Sequence, residues 1–115
     1  MKFSVKILLP FVSILFLFSI SVFGQGVTTA SLSGLVQNNA GQPMVAANVI
    51  VVNEPTGTQY GVSTNNDGRF FLPNVKIGGP YTITVSYVGY ATKKRKGIYL
   101  ELGQKLNVKF VLVSN

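Results

Sequence analysis

Between Tyr81 and Tyr87 the chain alternates strictly: Tyr81, Ile83, Val85 and Tyr87 fall on one side, Thr82, Thr84 and Ser86 on the other. A period of two belongs to an extended strand with one face to bury. The same alternation returns near the C-terminus, where Leu106, Val108, Phe110 and Leu112 interleave with Lys105, Asn107, Lys109 and Val111. It also sets Ile98, Leu100 and Leu102 against Tyr99 and Glu101, and it places Leu32, Gly34 and Val36 on one face of Ser31–Gln37. Met44 to Asn53 contains the run Val49–Val52, apolar on both faces as a central, covered strand tends to be. Thr58–Thr64 alternates among polar residues and reads as a strand near a sheet edge. Arg69–Leu72 turns Phe70 and Leu72 one way and Phe71 the other.

Turn chemistry separates these seven segments. Asn38–Pro43 and Glu54–Gly57 carry Pro and Gly where turns favour them. Asn65-Asn66-Asp67-Gly68 reads as a tight hairpin that sets the register of its flanking strands, with Gly68 at positive φ and Asp67 bonding nearby backbone N–H groups. Pro73 is expected to stop the fourth strand, since it cannot donate to a ladder, and Val75–Gly79 to form a connection. After Gly89-Tyr90, Lys93-Lys94-Arg95-Lys96 reads as a basic loop running to Gly97. No helical periodicity of useful length interrupts the series. Short strands spaced by turns, each with one apolar face, predict an all-β domain: two sheets packed face to face in a seven-stranded sandwich.

The first quarter of the chain follows other rules. Lys2 and Lys6 precede an apolar run from Ile7 to Phe23 and then Gly24. This is the layout of a signal peptide, with cleavage after Gly24 and a mature chain starting at Gln25. Cleavage after Gly26 and retention as an anchor are the alternatives, although a spanning helix usually needs about 20 apolar residues. Each alternative exports the domain, to the periplasm, the outer membrane or the cell surface. The expected organisation is residues 1–24 as signal peptide, 25–30 as a flexible lead-in and 31–115 as the sandwich.

Composition narrows the chemistry. The chain has no Cys, no His and no Trp, and its only acids are Glu54, Asp67 and Glu101, far apart in sequence. That inventory provides no thiolate or imidazole ligand and no paired carboxylates. It argues against an enzyme, and no cofactor or metal is expected. Removing Lys2 and Lys6 with the leader lowers the basic residues from 10 to eight against three acids, and Lys93–Lys96 supplies half of the eight. Such a cluster reads either as a contact for phosphate or lipid headgroups or as a solvated surface. Nucleic acid is not an expected partner of an exported chain.

The order Ser33-Gly34-x-Val36, Gly41-x-Pro43-Met44, Ala47-Asn48-Val49, Thr64-Asn65-x-Asp67-Gly68-x-Phe70, Gly79-x-Tyr81-x-Ile83-x-Val85 and Gly89-Tyr90 resembles the carboxypeptidase regulatory-like domain. The resemblance covers roughly residues 30 to 113. It implies a transthyretin-like Greek-key sandwich, grouped by shape with starch-binding-like folds. In exported bacterial proteins such a domain commonly precedes the plug and barrel of TonB-dependent outer-membrane receptors. No plug or barrel follows before Asn115, so the expectation is a fragment of such a receptor or a stand-alone domain. The resemblance does not imply peptidase activity: metallocarboxypeptidases hold their zinc with His and Glu of a separate domain, and this chain has no His.

Three binding chemistries follow. Sugar binding needs exposed aromatic faces, and Tyr60, Phe71 and Tyr99 are the candidates; Tyr81, Tyr87 and Tyr90 read as core or corner residues. Asn65–Gly68 has a faint calcium-loop pattern but lacks the acids to complete coordination. The edge Thr58–Thr64 is open to strand addition by a partner, and its polar alternation reads equally as protection against pairing. The sequence is thus read as a non-enzymatic exported accessory module. Its expected partner is a protein or the receptor's own plug and barrel, and a polysaccharide-binding module is the alternative.

Overall fold

The computed structural model describes residues 28–115; the leader, with the cleavage position at Gly24 and Gln25, lies outside the described residues. Seven strands follow in order: β1 Thr29–Asn38, β2 Asn48–Asn53, β3 Gln59–Ser63, β4 Arg69–Lys76, β5 Gly78–Ser86, β6 Lys93–Leu100 and β7 Lys105–Leu112. They form a three-stranded sheet in the order β4-β1-β7 and a four-stranded sheet in the order β3-β2-β5-β6. All pairs are antiparallel except β1 with β7, which run parallel from Ser31↔Lys105 to Asn38↔Leu112. The sandwich expectation holds.

Alternation builds the core. Leu32 and Val36 of β1 and Val108, Phe110 and Leu112 of β7 point inward from one sheet; Val49, Val51, Ile83 and Val85 meet them from the other. Phe70 and Leu72 are buried while Phe71 is 60% exposed, as the parity required. Gly34 is a packing glycine. A Cβ there would sit 2.5 Å from the Phe70 ring and 2.7 Å from the Val108 carbonyl oxygen, so its absence lets the ring cross β1. The core cluster of the described residues draws on all seven strands except the half-buried β3, which packs Tyr60 and Val62 against it.

Several elements depart from the pattern. The second strand starts at Asn48, not Met44, and the first at Thr29, inside the expected lead-in. β4 does not stop at Pro73. It continues to Lys76 because Ala30 pairs with Val75 and Leu32 with Leu72, leaving Pro73 and Asn74 opposite Ser31 in a bulge. An edge strand tolerates proline there, and Asn74 takes φ 57° to complete the bulge. The expected connection Val75–Gly79 shrinks to Ile77. The expected basic loop is ordered strand: Lys93–Lys96 opens β6, and all four residues remain exposed. Leu102 falls past the end of β6 and Tyr87 past the end of β5.

The Asn65–Gly68 turn is not a hairpin between paired strands. β3 belongs to one sheet and β4 to the other, so this turn is a corner that carries the chain across the sandwich. Asn65, not Asp67, organises it: its Oδ1 accepts from the N–H groups of Asp67 and Arg69, both at 3.0 Å. Just before the corner, the buried Thr64 hydroxyl donates to the Met44 carbonyl and accepts from Ala47 N–H at 2.8 Å. Gly68 O accepts from Val36 N–H at 2.7 Å, and Gly68 takes φ +74°.

Each open side of the sandwich is closed by side chains reaching between sheets. On one, Tyr81 donates its hydroxyl to Lys76 O at 2.6 Å, while the Tyr60 hydroxyl accepts from Lys76 N–H at 3.2 Å. On the other, Arg95 of β6 donates to Lys109 O of β7 at 3.0 Å and lies over the Phe110 ring, 4.8 Å from its centroid. Burial is the main cause holding the Tyr81 phenol above its ordinary pKa range.

Two outcomes test this description. In Gly68→Val the new Cβ would meet Val36 O at 2.6 Å and Pro43 Cβ at 2.9 Å. We expect a loss of about 2–3 kcal/mol and a melting temperature lower by about 10–20 °C. Gly57→Ala, also at positive φ but with open space around it, is expected to lose about 1 kcal/mol; equal losses would show that contact at Gly68 does not matter. The second outcome concerns pH. The folded state holds the Tyr81 proton more tightly than the unfolded chain, so this contribution is intact below the ordinary tyrosine pKa of about 10 and declines as pH rises through the raised folded value. Tyr81→Phe is expected to lose about 1 kcal/mol at pH 7 and to show a shallower alkaline decline by urea titration. A decline as steep as the parent's would assign it to other groups.

Candidate functional site

The three aromatic candidates occupy three different surfaces. Tyr60 is half-buried on β3, tilted against Tyr81 with ring centroids 6.5 Å apart, and its hydroxyl is engaged at the seam. Phe71 stands on the outer face of the three-stranded sheet. Tyr99, 64% exposed, stands on the outer face of the four-stranded sheet. The fold brings none of these together, but Tyr99 has acquired neighbours that the sequence did not indicate.

Two bulges make those neighbours. Gly78 pairs with Leu100 and Tyr81 with Ile98, so Tyr99 faces two residues, Gly79 and Pro80. Ile83 pairs with Arg95, so Thr82 in turn faces two residues, Lys96 and Gly97. A bulge bends its strand and re-aims side chains. Two of them in succession on opposite strands open a cleft of about 390 Å³ lined by Glu54, Pro80, Thr82, Lys96, Gly97 and Tyr99. Glu54 is fixed there because its N–H donates to Pro80 O at 3.0 Å. Thr82 is buried although its strand parity points it outward. The cleft therefore offers an aromatic face, a carboxylate, an ammonium group and a hydroxyl. Glu54 was visible in sequence only as one of three acids; its approach to Tyr99 depends on pairing that no local pattern reveals.

A second concavity lies at one end of the sandwich, about 570 Å³, lined by Val45, Ala46, Asn48, Ser86, Tyr87 and Val88. Thr64 shapes it by holding the Met44–Ala47 segment, in which Ala46 takes φ 62°. Tyr87 packs edge-on against Tyr90, ring centroids 5.6 Å apart, and Val88 at the tip of the turn is 94% exposed. The last residues run alongside: Ala91 N–H donates to Val113 O at 2.9 Å and Asn115 N–H to Gly89 O at 3.0 Å. Sequence reading missed this surface, since it placed Val45 inside the Met44–Asn53 strand segment and left Val88 at the turn after Tyr87, and only the fold brings the two together. Among the described residues there is no group of three or more His, Cys, Asp or Glu side chains that could hold a metal ion.

Comparison with known proteins agrees with this architecture. Over 89 residues the chain is 39% identical to the TonB-dependent receptor SusC of Bacteroides thetaiotaomicron, a match covering 77% of this chain but only 8% of the receptor. Among solved structures, a candidate carbohydrate-binding protein of Bacteroides uniformis superposes with a TM-score of 0.59 at 14% identity, over 77% of this chain and 43% of that one. The 3-chlorocatechol 1,2-dioxygenase of Rhodococcus opacus superposes with a TM-score of 0.58 at 12% identity, over 81% and 63% respectively. At such identities these two share the fold alone. The sequence profile of the carboxypeptidase regulatory-like domain matches residues 31–113, and the chain belongs to that family.

Proposed function

We propose that this chain is a non-catalytic, exported accessory domain of a TonB-dependent receptor, placed ahead of the plug and barrel on the periplasmic side of the outer membrane. The observation that carries this reading is the 39% identity to a domain-sized part of such a receptor. Two features support it. The apolar run behind Lys2 and Lys6 has the layout of a leader. The groove at Val45 and Val88 offers contiguous apolar surface beside the segment that ends at Asn115, the kind of patch that marks protein contact. In this reading the receptor body docks there. The absence of imidazole and thiol groups leaves the domain to position rather than to react.

The test is a chimera in which residues 31–113 replace the matching segment of the Bacteroides thetaiotaomicron receptor, exported behind residues 1–30 of this chain. The product is expected in the envelope with its N-terminus at Gln25, restoring uptake lost on deleting the segment. Val45→Asp with Val88→Asp is expected to reduce uptake severalfold at unchanged protein level. Full uptake without the segment, or with the double variant, would refute a docking role.

A second reading, carbohydrate binding, is favoured by the Tyr99 cleft, whose volume falls in the range of small-molecule sites, about 300–1,000 Å³. A sugar ring would stack on Tyr99 while Glu54 and Thr82 take its hydroxyls. Calorimetry against soluble polysaccharides should then show saturable binding, lost in Tyr99→Ala and weakened in Glu54→Gln, with Phe71→Ala unchanged. Absence of binding across neutral and acidic polysaccharides removes this reading and leaves the docking role untouched.

A further inference from the structure

Charge is distributed very unevenly over the described residues. Of their eight cations only Arg69 and Lys76 lie on β4; Lys93, Lys94, Arg95 and Lys96 lie on β6, and Lys105 and Lys109 on β7. β6 and β7 are the edge strands of their sheets on the same side of the sandwich, joined by the Arg95 bond to Lys109 O. The six cations therefore line one rim. Outer-face Lys94 flanks it from the four-stranded sheet, and outer-face Lys105 and Lys109 flank it from the three-stranded one. Glu101 is the one acid on the connection between these strands.

Two large apolar side chains share the rim. Tyr99 stands near the end of β6, and Leu102, 62% exposed, sits in the turn between β6 and β7. That turn is held rigidly. Gly103 N–H donates to Thr29 O at 3.0 Å, Gln104 N–H to Glu101 O at 3.1 Å, and Glu101 N–H to the Gln104 side chain at 2.9 Å. Leu102 is thus displayed on a fixed support, without an internal packing role.

From this juxtaposition we propose that the β6–turn–β7 rim is a contact for the surface of an anionic phospholipid bilayer, its lysines meeting headgroup phosphates and Tyr99 and Leu102 entering the interfacial layer. The inference goes beyond the receptor reading and depends on it only for its location. Lysine is a flexible point charge suited to many phosphates on a plane, and tyrosine favours the headgroup level. Strand addition by an acidic peptide is the weaker fit for the same rim. Arg95 points inward and occupies the Lys109 carbonyl, and the Lys96–Gly97 bulge breaks the ladder; both features guard an edge against pairing.

The experiment uses residues 25–115, the chain left once the leader is removed, with a cooperative thermal transition confirming that it is folded, so that the apolar leader does not bind vesicles by itself. Co-sedimentation is measured with vesicles of phosphatidylcholine alone and with 30% phosphatidylglycerol. Binding is expected only to the anionic vesicles and should fall steeply with salt. Each rim lysine contributes about fivefold in partition coefficient, so Lys93→Glu with Lys94→Glu, and separately Lys105→Glu with Lys109→Glu, should each lose 25-fold or more at unchanged melting temperature. Gln replacements at the same positions serve if a Glu pair fails to fold, and are expected to lose somewhat less. Leu102→Ser should weaken vesicle binding severalfold at high salt, where the charge contribution is screened. Equal binding to both vesicle types, or full binding by the lysine variants, would overturn the proposal. So would inositol hexaphosphate bound as tightly as vesicles with no effect of Leu102→Ser, which would assign the rim to soluble polyphosphate. Vesicle-independent capture of an acidic peptide lost in the same lysine variants would assign it to a protein strand instead.

Discussion

The corner from Thr64 to Gly68 is the constraint on which the rest of the sandwich depends. Three chain segments meet there, and the available hydrogen bonds tie all of them. Met44 N–H reaches Val36 O at 2.9 Å, Val36 N–H reaches Gly68 O, and the Thr64 hydroxyl spans the Met44 carbonyl and the Ala47 N–H. None of these groups is accessible enough for water to substitute freely, so leaving any unpaired costs about 1–3 kcal/mol. Gly68 is demanded twice, by its positive φ and by the Val36 carbonyl lying where a Cβ would be. Because β3 and β4 belong to different sheets, this turn is one of four connections that cross between the layers, and its ties to Val36, Met44 and Ala47 also shape the groove at Val45.

The two open sides of the sandwich are closed differently, and the difference has functional weight. The Tyr60–Tyr81–Lys76 side uses neutral phenols, one a donor and one an acceptor, on the N–H and C=O of a single residue. The β6–β7 side uses a guanidinium stacked on Phe110, which cation–π attraction favours by about 0.5–1 kcal/mol at an exposed site. One side is thereby closed by uncharged groups and carries only Arg69 and Lys76 on β4, while the other concentrates six cations on β6 and β7. The bulges of β6 and β5 add irregularity at the charged side, so that the Tyr99 cleft and the basic rim adjoin each other on one strand.

Much of the fold was legible because burial imposes parity. β7 alternates without a break, β5 does so from Ile83 to Ser86, and Phe70, Phe71 and Leu72 faced as their order required. What escaped has physical reasons. The Lys93–Lys96 run looked like a loop because all of it is solvated and the Lys96–Gly97 bulge shifts the parity before Ile98. Pro73 looked like a stop because its missing N–H matters only where a partner carbonyl waits, and in the Pro73–Asn74 bulge none does. The Asn65–Gly68 turn was placed correctly but mistaken for a hairpin: turn residues report local φ, not which sheet the next strand will join. Of the Tyr99 cleft, only Tyr99 was visible, since the approach of Glu54 and Thr82 is a property of strand pairing across residues distant in sequence.

The parallel pairing of β1 with β7 has a mechanical consequence. Eight residue pairs, from Ser31↔Lys105 to Asn38↔Leu112, lie side by side between the first and last strands. The two ends of the described span consequently leave from opposite ends of the sandwich. A pull applied between them loads that ladder in shear, so its hydrogen bonds resist together instead of opening one after another as an unzipping antiparallel pair does. A domain wired this way transmits tension along its length while remaining folded.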